Sequence, residues 1–270
     1  MNPTNPMNPL NIDTTKPHSA RMYDYYLGGK DHYQVDEEAA AHVMAVFPGV
    51  RTCARENRSF MHRATRWLAG EAGIRQFLDI GTGIPTAPNL HQVAQSVAPD
   101  ARVVYADNDP IVLAYAQALL NGTPEGRTTY IQADVREPER ILGAAELHET
   151  LDLSKPVALS MNALFHFIPD DDKPYDVVRQ LVDPLPSGSY LILTHCTPDF
   201  APETWERVID VYRQGGIPAQ VRSRNEVEVF FEGLELIEPG VAEPHLWRPD
   251  GERALDSADV SFWVGVARKP

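Results

Sequence analysis

Cysteine is nearly missing from this chain: Cys53 and Cys196 are the only two in 270 residues. Two thiols make neither a disulfide scaffold nor a Cys-rich zinc site, so a reduced cytoplasm is expected and no metal. Long apolar runs are missing as well. The hydrophobic fraction is an ordinary 43%, yet no stretch approaches the roughly 18 residues of a bilayer span, and no membrane partner is expected. The opening Met1 to Asn11 alternates Asn, Pro and Thr and lacks a basic-then-apolar signal pattern, so export is not expected. Basic residues are in deficit, with 24 Lys and Arg against 38 Asp and Glu and a formal charge of −14. Nucleic-acid binding draws on clustered cations that neutralise phosphate, and this field repels a polyanion, so nucleic acid is not an expected substrate. There is no internal repeat and no linker that divides the chain, and the length suffices for a substantial core. Nothing in the sequence specifies an oligomeric state.

What is present has a rhythm. Residues 1–17 read as a disordered tail, punctuated by Asn and Pro without apolar periodicity. Residues 18–74 read as a helical cap: Met22, Tyr23, Tyr25, Tyr26 and Leu27 run into Gly28-Gly29-Lys30, a helix-like stretch follows near Asp36 to Phe47, and a clearer helix spans about Glu56 to Ala69. From Arg75 strands and helices alternate, with strands at Gln76–Ile80, Arg102–Ala106, Thr128–Ala133, Val157–Met161 and Tyr190–Thr194. Asp109 and Pro110 supply a cap and a first-turn proline for the helix carrying Val112, Leu113, Ala116, Leu119 and Leu120. Such alternation implies a doubly wound α/β sheet of the Rossmann-like kind, with parallel pairing and right-handed crossovers. Residues 200–247 break the rhythm as an insert with helices near Pro202–Gln214 and Arg224–Glu232, the second capped by Ser223 and Glu226. Leu234–Pro239 and Val260–Ala267 then read as an antiparallel closing pair at the sheet edge.

The chemistry is expected at the carboxyl ends of the strands, where open α/β sheets bind ligands. Phe77-Leu78-Asp79-Ile80-Gly81-Thr82-Gly83 delivers an acidic residue and two glycines to one such end, and glycine lets backbone pass close to a ligand. An ordinary strand-to-helix turn explains this segment equally well by itself. Asp107 ends the second strand, where a carboxylate can accept hydrogen bonds from both ribose hydroxyls of a nucleoside. Asp134 and Val135 end the third, suited to the exocyclic amine and ring face of adenine. A dinucleotide fingerprint fits less well, because its third glycine would fall at Thr86, with Pro85 in between. The agreement of three strand ends favours an adenosyl ligand over a set of unrelated turns.

Leu78 to Gly83, then Tyr105-Ala106-Asp107, then Ala133-Asp134-Val135, resemble the class I S-adenosylmethionine (SAM)-dependent methyltransferases. Arg21 to Asp31, Glu56-Asn57-Arg58, Phe77 to Thr86 and the terminal Gly265 to Pro270 further resemble an actinobacterial S-adenosyl methyltransferase family, formerly a domain of unknown function. The resemblance covers nearly all of the chain after the tail. It implies a seven-stranded, mostly parallel sheet with an antiparallel C-terminal strand and no metal. It implies a cofactor site drawn from Tyr23, Gly29, Asp79, Gly81, Thr82, Gly83, Asp107, Asn108, Asp134, Val135 and Asn162. Asp79, Gly81 and Gly83 would line the methionine part, Asp107 the ribose, and Asp134 with Val135 the adenine. Pro85 departs from the superfamily, where a third glycine is common, which puts the loop path beyond Gly83 in doubt.

The corner after the fourth strand faces the methyl group in that superfamily, and there His166 is the candidate general base, its ordinary pKa near 6.5 suiting proton removal. A histidine packed between Phe165 and Phe167 is the competing reading, and His195 carries the same ambiguity. Tyr23 or Tyr26 would meet the sulfonium as part of a lid that Gly29 lets close, or else dock a helix on the sheet. Asp170-Asp171-Asp172 reads as a helix cap cluster rather than a metal site. The expected activity is SN2 methyl transfer to an unidentified small-molecule acceptor, leaving S-adenosylhomocysteine. The alternatives are a non-catalytic SAM-binding protein and a nicotinamide-dependent oxidoreductase.

Overall fold

The computed structural model describes residues 12–112, 115, 122–251 and 254–270. The expected tail over Met1 to Asn11 and the helix positions Leu113, Ala116, Leu119 and Leu120 lie outside the described residues. Short strands, buried along most of their length except at the edge strand β3, form β1 (Gln76–Ile80), β2 (Arg102–Asp107), β3 (Arg127–Gln132), β4 (Ala158–Met161) and β5 (Tyr190–Cys196), all paired in parallel. With β6 (Glu235–Leu236) and β7 (Phe262–Arg268) they make a seven-stranded sheet in the order β3-β2-β1-β4-β5-β7-β6. β7 runs antiparallel to both β5 and β6, which closes the sheet as the sequence implies. The order reverses at β1, between β2 and β4, so the crevice for a ligand opens above their carboxyl ends.

Side chains alternate across the sheet with period two. Phe77, Val103, Tyr105 and Ile192 face one core, Leu78, Val104, Ala106 and Leu193 the other. The first core is covered by α1 (Ser19–Leu27), α2 (Gln34–Val46), α3 (Val50–Gly70) and α4 (Leu90–Val97). The second is covered by α5 (Pro138–Leu142), α6 (Ala145–Thr150) and α7 (Pro174–Val182). α8 (Pro202–Gln214) returns to the first face, and α9 (Arg224–Glu228) and α10 (Ser257–Val260) precede β6 and β7.

Several local expectations hold at atomic detail. The Asp109 carboxylate accepts the amide of Ile111 and starts the helical residues Pro110 to Val112. The Ser223–Glu226 capping box is formed. Others shift. α3 begins at Val50, well before Glu56, because Val50, Cys53, Ala54 and Asn57 continue the buried stripe of Phe60, Ala64 and Leu68. α9 stops at Glu228 and tightens into a 3-10 turn over Val229–Phe231. Asp170–Asp172 do not cap α7, whose first turn follows Lys173; Asp170 instead receives Arg222 Nη2 at 2.6 Å, and Asp172 lies 3.5 Å from Arg136. Residues 12–17 carry no helix or strand, yet Arg21 donates to the carbonyls of Asp13 and Lys16 and pairs with buried Asp36.

α3 supplies one wall of the crevice, so its docking matters. Arg63 Nε donates to the Trp247 carbonyl at 3.0 Å, and the fully buried Trp247 ring meets Phe60 edge-on at 5.3 Å. Trp247→Ala keeps the carbonyl that Arg63 holds but removes the buried ring, and the expected loss is about 3–5 kcal/mol of unfolding free energy. Urea unfolding of the variant checks this; a loss under about 1 kcal/mol would mean that α3 is held elsewhere.

Candidate functional site

The turn after β1 is shaped by backbone that a side chain would obstruct. Gly81 has φ +71, and a Cβ there would lie 2.7 Å from Leu164. Its amide donates to the Ala106 carbonyl of β2 at 2.8 Å. Two residues on, the Gly83 amide donates to Asp107 Oδ2 at 2.7 Å, while the Asp109 amide donates to Asp107 Oδ1 at 2.9 Å. One carboxylate thus ties the turns after β1 and β2 together. The departure at Pro85 is accommodated differently: Arg58 Nη2 of α3 donates to the carbonyls of Thr86 and Pro88, so a cation holds the loop where a glycine was expected.

The three strand ends converge. Gly81, Asp107 and Asp134 line a single cleft of about 300 Å3, together with Tyr23, Asp79, Thr82, Gly83, Asn108, Val135 and Asn162. That volume sits at the lower end of small-molecule sites. Sequence reasoning gave no role to Asn57, Arg58, Met61, His18 or Arg136, which also line it. Asn57 and Arg58 were visible as part of a family-like segment, but only the docking of α3 shows why they matter.

Charge is graded along the cleft. Burial pushes the Asp79 carboxyl up to about 6, against the Ser160 and Thr82 hydroxyls and the Arg58 charge. Burial likewise raises Asp107, opposed by the two amides it accepts. At Asp134 burial is outweighed by the Arg136 guanidinium and amide and by Asn108, which hold the carboxylate at about 2. Asn57 and Asn162 also line the cleft, and the Oδ1 atom of each is a buried acceptor without a hydrogen-bond partner.

Two expected residues lie elsewhere. Gly29 does not reach the cleft: its amide donates to the Asp24 carbonyl, and a Cβ on it would overlap the Asp24 carboxylate. Gly28 caps α1 at φ +83, and Gly29 just beyond it packs on Asp24, which needs a residue with no side chain. His166 lies behind Phe167, ring centroids 4.3 Å apart, and lines a separate apolar chamber. Burial, then the neighbouring His195 ring and the Arg222 charge, hold its pKa well below the usual value, so it is a neutral imidazole and a weak base. His195 is structural, its Nε2 accepting from Arg222 Nη1 at 2.8 Å. Tyr23 lines the cleft, with its hydroxyl donating to the Ala54 carbonyl and accepting from Asn57 Nδ2.

Against known proteins, a family model described as S-adenosyl methyltransferase matches residues 5–270. The chain belongs to this family. A Streptomyces avermitilis MA-4680 protein of the DUF574 family is 52% identical, with a TM-score of 0.92 over 96% of this chain and 99% of its own. A candidate methyltransferase from Thermobifida fusca YX is 40% identical, with a TM-score of 0.88 over 95% and 96%. A SAM-dependent methyltransferase from Anabaena variabilis ATCC 29413, at 17% identity, TM-score 0.50 and coverage of 75% and 80%, shares the fold alone. No protein of curated function matches the sequence. The enzyme is a SAM-dependent methyltransferase. Its residues fit the cofactor: the orphaned Asn57 and Asn162 oxygens and a carboxyl raised by burial suit an ammonium group, and Asp107 and Asp134 line the same cleft. Among the described residues no helix is long and apolar enough to cross a membrane, and no cluster of His, Cys, Asp or Glu forms a metal site.

The Asp79 shift has a signature in the unliganded methyltransferase. Its carboxyl titrates near 3.8 when unfolded and about 6 when folded, so the folded protein keeps a proton that the unfolded chain releases in between. Stability contributed at this site therefore falls as pH rises from about 4 to about 6, by on the order of 3 kcal/mol. Asp79→Asn should match wild type near pH 4 and exceed it near pH 7 in urea unfolding; parallel pH profiles would show that Asp79 ionises freely.

Proposed function

We propose that this methyltransferase grips SAM across the three strand ends and methylates a small-molecule acceptor. The convergence of Gly81, Asp107 and Asp134 on one cleft carries the reading. Asp107 accepts from the ribose hydroxyls with the lone pairs left by Gly83 and Asp109. Asp134, kept ionised by Arg136, accepts from the adenine amine, and Val135 packs on the ring beside Asn108. Asp79, Asn162 and Asn57 take the α-ammonium, and Thr82 with the Gly81–Gly83 backbone lines the methionine part. Arg58, already in the wall, offers its charge to the cofactor carboxylate.

When bound, SAM would supply an electrophilic methyl for an acceptor lone pair, the carbon–sulfur bonding pair returning to sulfur and any acceptor proton leaving to solvent. The chain aligns the acceptor with that bond and keeps other nucleophiles away. α1 serves as the cover, since Ser19, Ala20, Tyr23 and Leu27 close one side of the cleft. Residues 18–74 act as the cap of the catalytic domain, 75–270. The two buried free thiols fit a reducing cytoplasm.

Calorimetry with SAM tests the reading, and no heat at millimolar ligand would overturn it. Asp107→Ala should weaken SAM by about 1.5–3 kcal/mol, the scale of a hydrogen bond to a charged group. Retained affinity in a folded Asp107→Ala protein would remove the ribose from Asp107.

A further inference from the structure

The cap and the sheet meet at one point where two hydrogen-bonding demands conflict. α1 opens at His18, whose extended backbone (φ −126, ψ 138) makes it the N-cap, and His18 Nδ1 accepts from the Ala20 amide at 3.3 Å. The same ring nitrogen lies 3.1 Å from Asp109 Oδ2, in the turn after β2. Asp109 Oδ1 already accepts the Ile111 amide at 3.0 Å, but Oδ2 is buried and has no hydrogen-bond partner. The Asp109 side chain is 4% exposed, whereas His18, at 34%, lines the cleft together with Asp107 and Asn108.

One ring nitrogen cannot serve both neighbours. With a bare lone pair, Nδ1 caps α1 through the Ala20 amide but turns an acceptor toward a carboxylate oxygen. With a proton, Nδ1 donates to Asp109 Oδ2 in a charge-assisted bond and gives up the cap. The first state leaves a buried carboxylate oxygen unsatisfied, and the second ties the start of α1 to the turn after β2. That turn matters to the site, because the Asp109 amide donates to Asp107 Oδ1. Other charges around His18 are few. From α2, Asp36 accepts the His18 amide at 2.9 Å and pairs with Arg21 of α1 at 3.4 Å. From β2 comes Asp107, raised by burial and opposed in part by charge on His18. Asp13 and Lys16 of the preceding segment face Arg21, and Gly216, Ile217 and Pro218 of the cleft wall bring no charge.

We propose that His18 controls cofactor exchange: its protonated imidazole latches α1 to Asp109 over the Asp107 end of the cleft, and loss of the proton frees the latch. Ser19, Ala20, Tyr23 and Leu27 follow on the same helix and wall the cleft, so the latch acts on the whole cover. An imidazole ordinarily changes charge between about pH 5 and 8, and the latch therefore slows release of SAM at the acid end of that range and not at the alkaline end. Asp79 works with the opposite sign, because its carboxyl, raised by burial to about 6, gains charge for the ammonium group as pH rises. The inference rests on the SAM reading of the cleft.

The test follows labelled SAM leaving the full-length protein during a chase with unlabelled SAM, between about pH 5.5 and 8. At the acid end His18→Asn should release SAM at least about tenfold faster than wild type, the scale of one hydrogen bond to a charged group. At the alkaline end the two rates should converge, and taking their ratio removes the Asp79 contribution common to both. Asparagine is a favoured N-cap, so this variant keeps the start of α1 and loses the titrating ring. Asp109→Asn, which keeps an acceptor for the Ile111 amide, should behave alike, and the double variant should release no faster than either single one. Should Asp109→Asn misfold, Asp109→Ser offers a hydroxyl cap instead. A ratio that stays constant with pH, or additive effects in the double variant, overturns the latch. In the unliganded protein the NMR titration midpoint of the His18 ring should fall when the Asp109 charge is removed. An unmoved midpoint overturns the latch whether or not SAM binds, whereas no SAM binding at millimolar concentration overturns the cofactor reading.

Discussion

Two backbone amides, from Gly83 and Asp109, converge on the buried Asp107 carboxylate, and the geometry of the cleft follows from that convergence. A carboxylate withdrawn from water is costly unless hydrogen bonds replace its solvation. Here the replacement donors belong to the turns after two adjacent strands. Satisfying the charge therefore sets the spacing between those turns, and the cleft opens beside them. The third turn is drawn in more loosely, through Asn108 Nδ2 donating to Asp134 Oδ2 at 3.2 Å.

The sheet alone makes half of the site. The other half is α1 and α3, docked across the first face and pinned by Arg63 on the Trp247 carbonyl and by Arg58 on the loop over Thr86 and Pro88. This cap narrows an open α/β crevice into two connected compartments of different character. One is rich in carboxylates and backbone polar groups, the other apolar and free of charged side chains among the described residues.

Much of this was legible in order along the chain. The short strands alternating with helical stretches marked the parallel sheet, and the acidic residues at the ends of the first three strands were found lining one cleft. Helix starts were readable where a side chain caps the backbone locally, as at Asp109 and Ser223. Positions whose role depends on a distant partner were not. Gly29 resembled a hinge near a ligand, yet it is a glycine because Asp24 occupies the place of a side chain. Asp170 resembled a cap and instead pairs with Arg222, 52 residues away.

What the sequence determined by itself is the sheet, its direction of travel and the chemistry at its rim, because those follow from local periodicity and from which residue ends each strand. What only the tertiary structure decided is the fate of side chains between elements. His166 shows the difference: its neighbours in sequence allowed a catalytic base, but packing behind Phe167 near Arg222 and His195 removes water and stabilises the neutral ring. Burial and through-space charge set protonation, and neither is written in a residue's immediate neighbours along the chain.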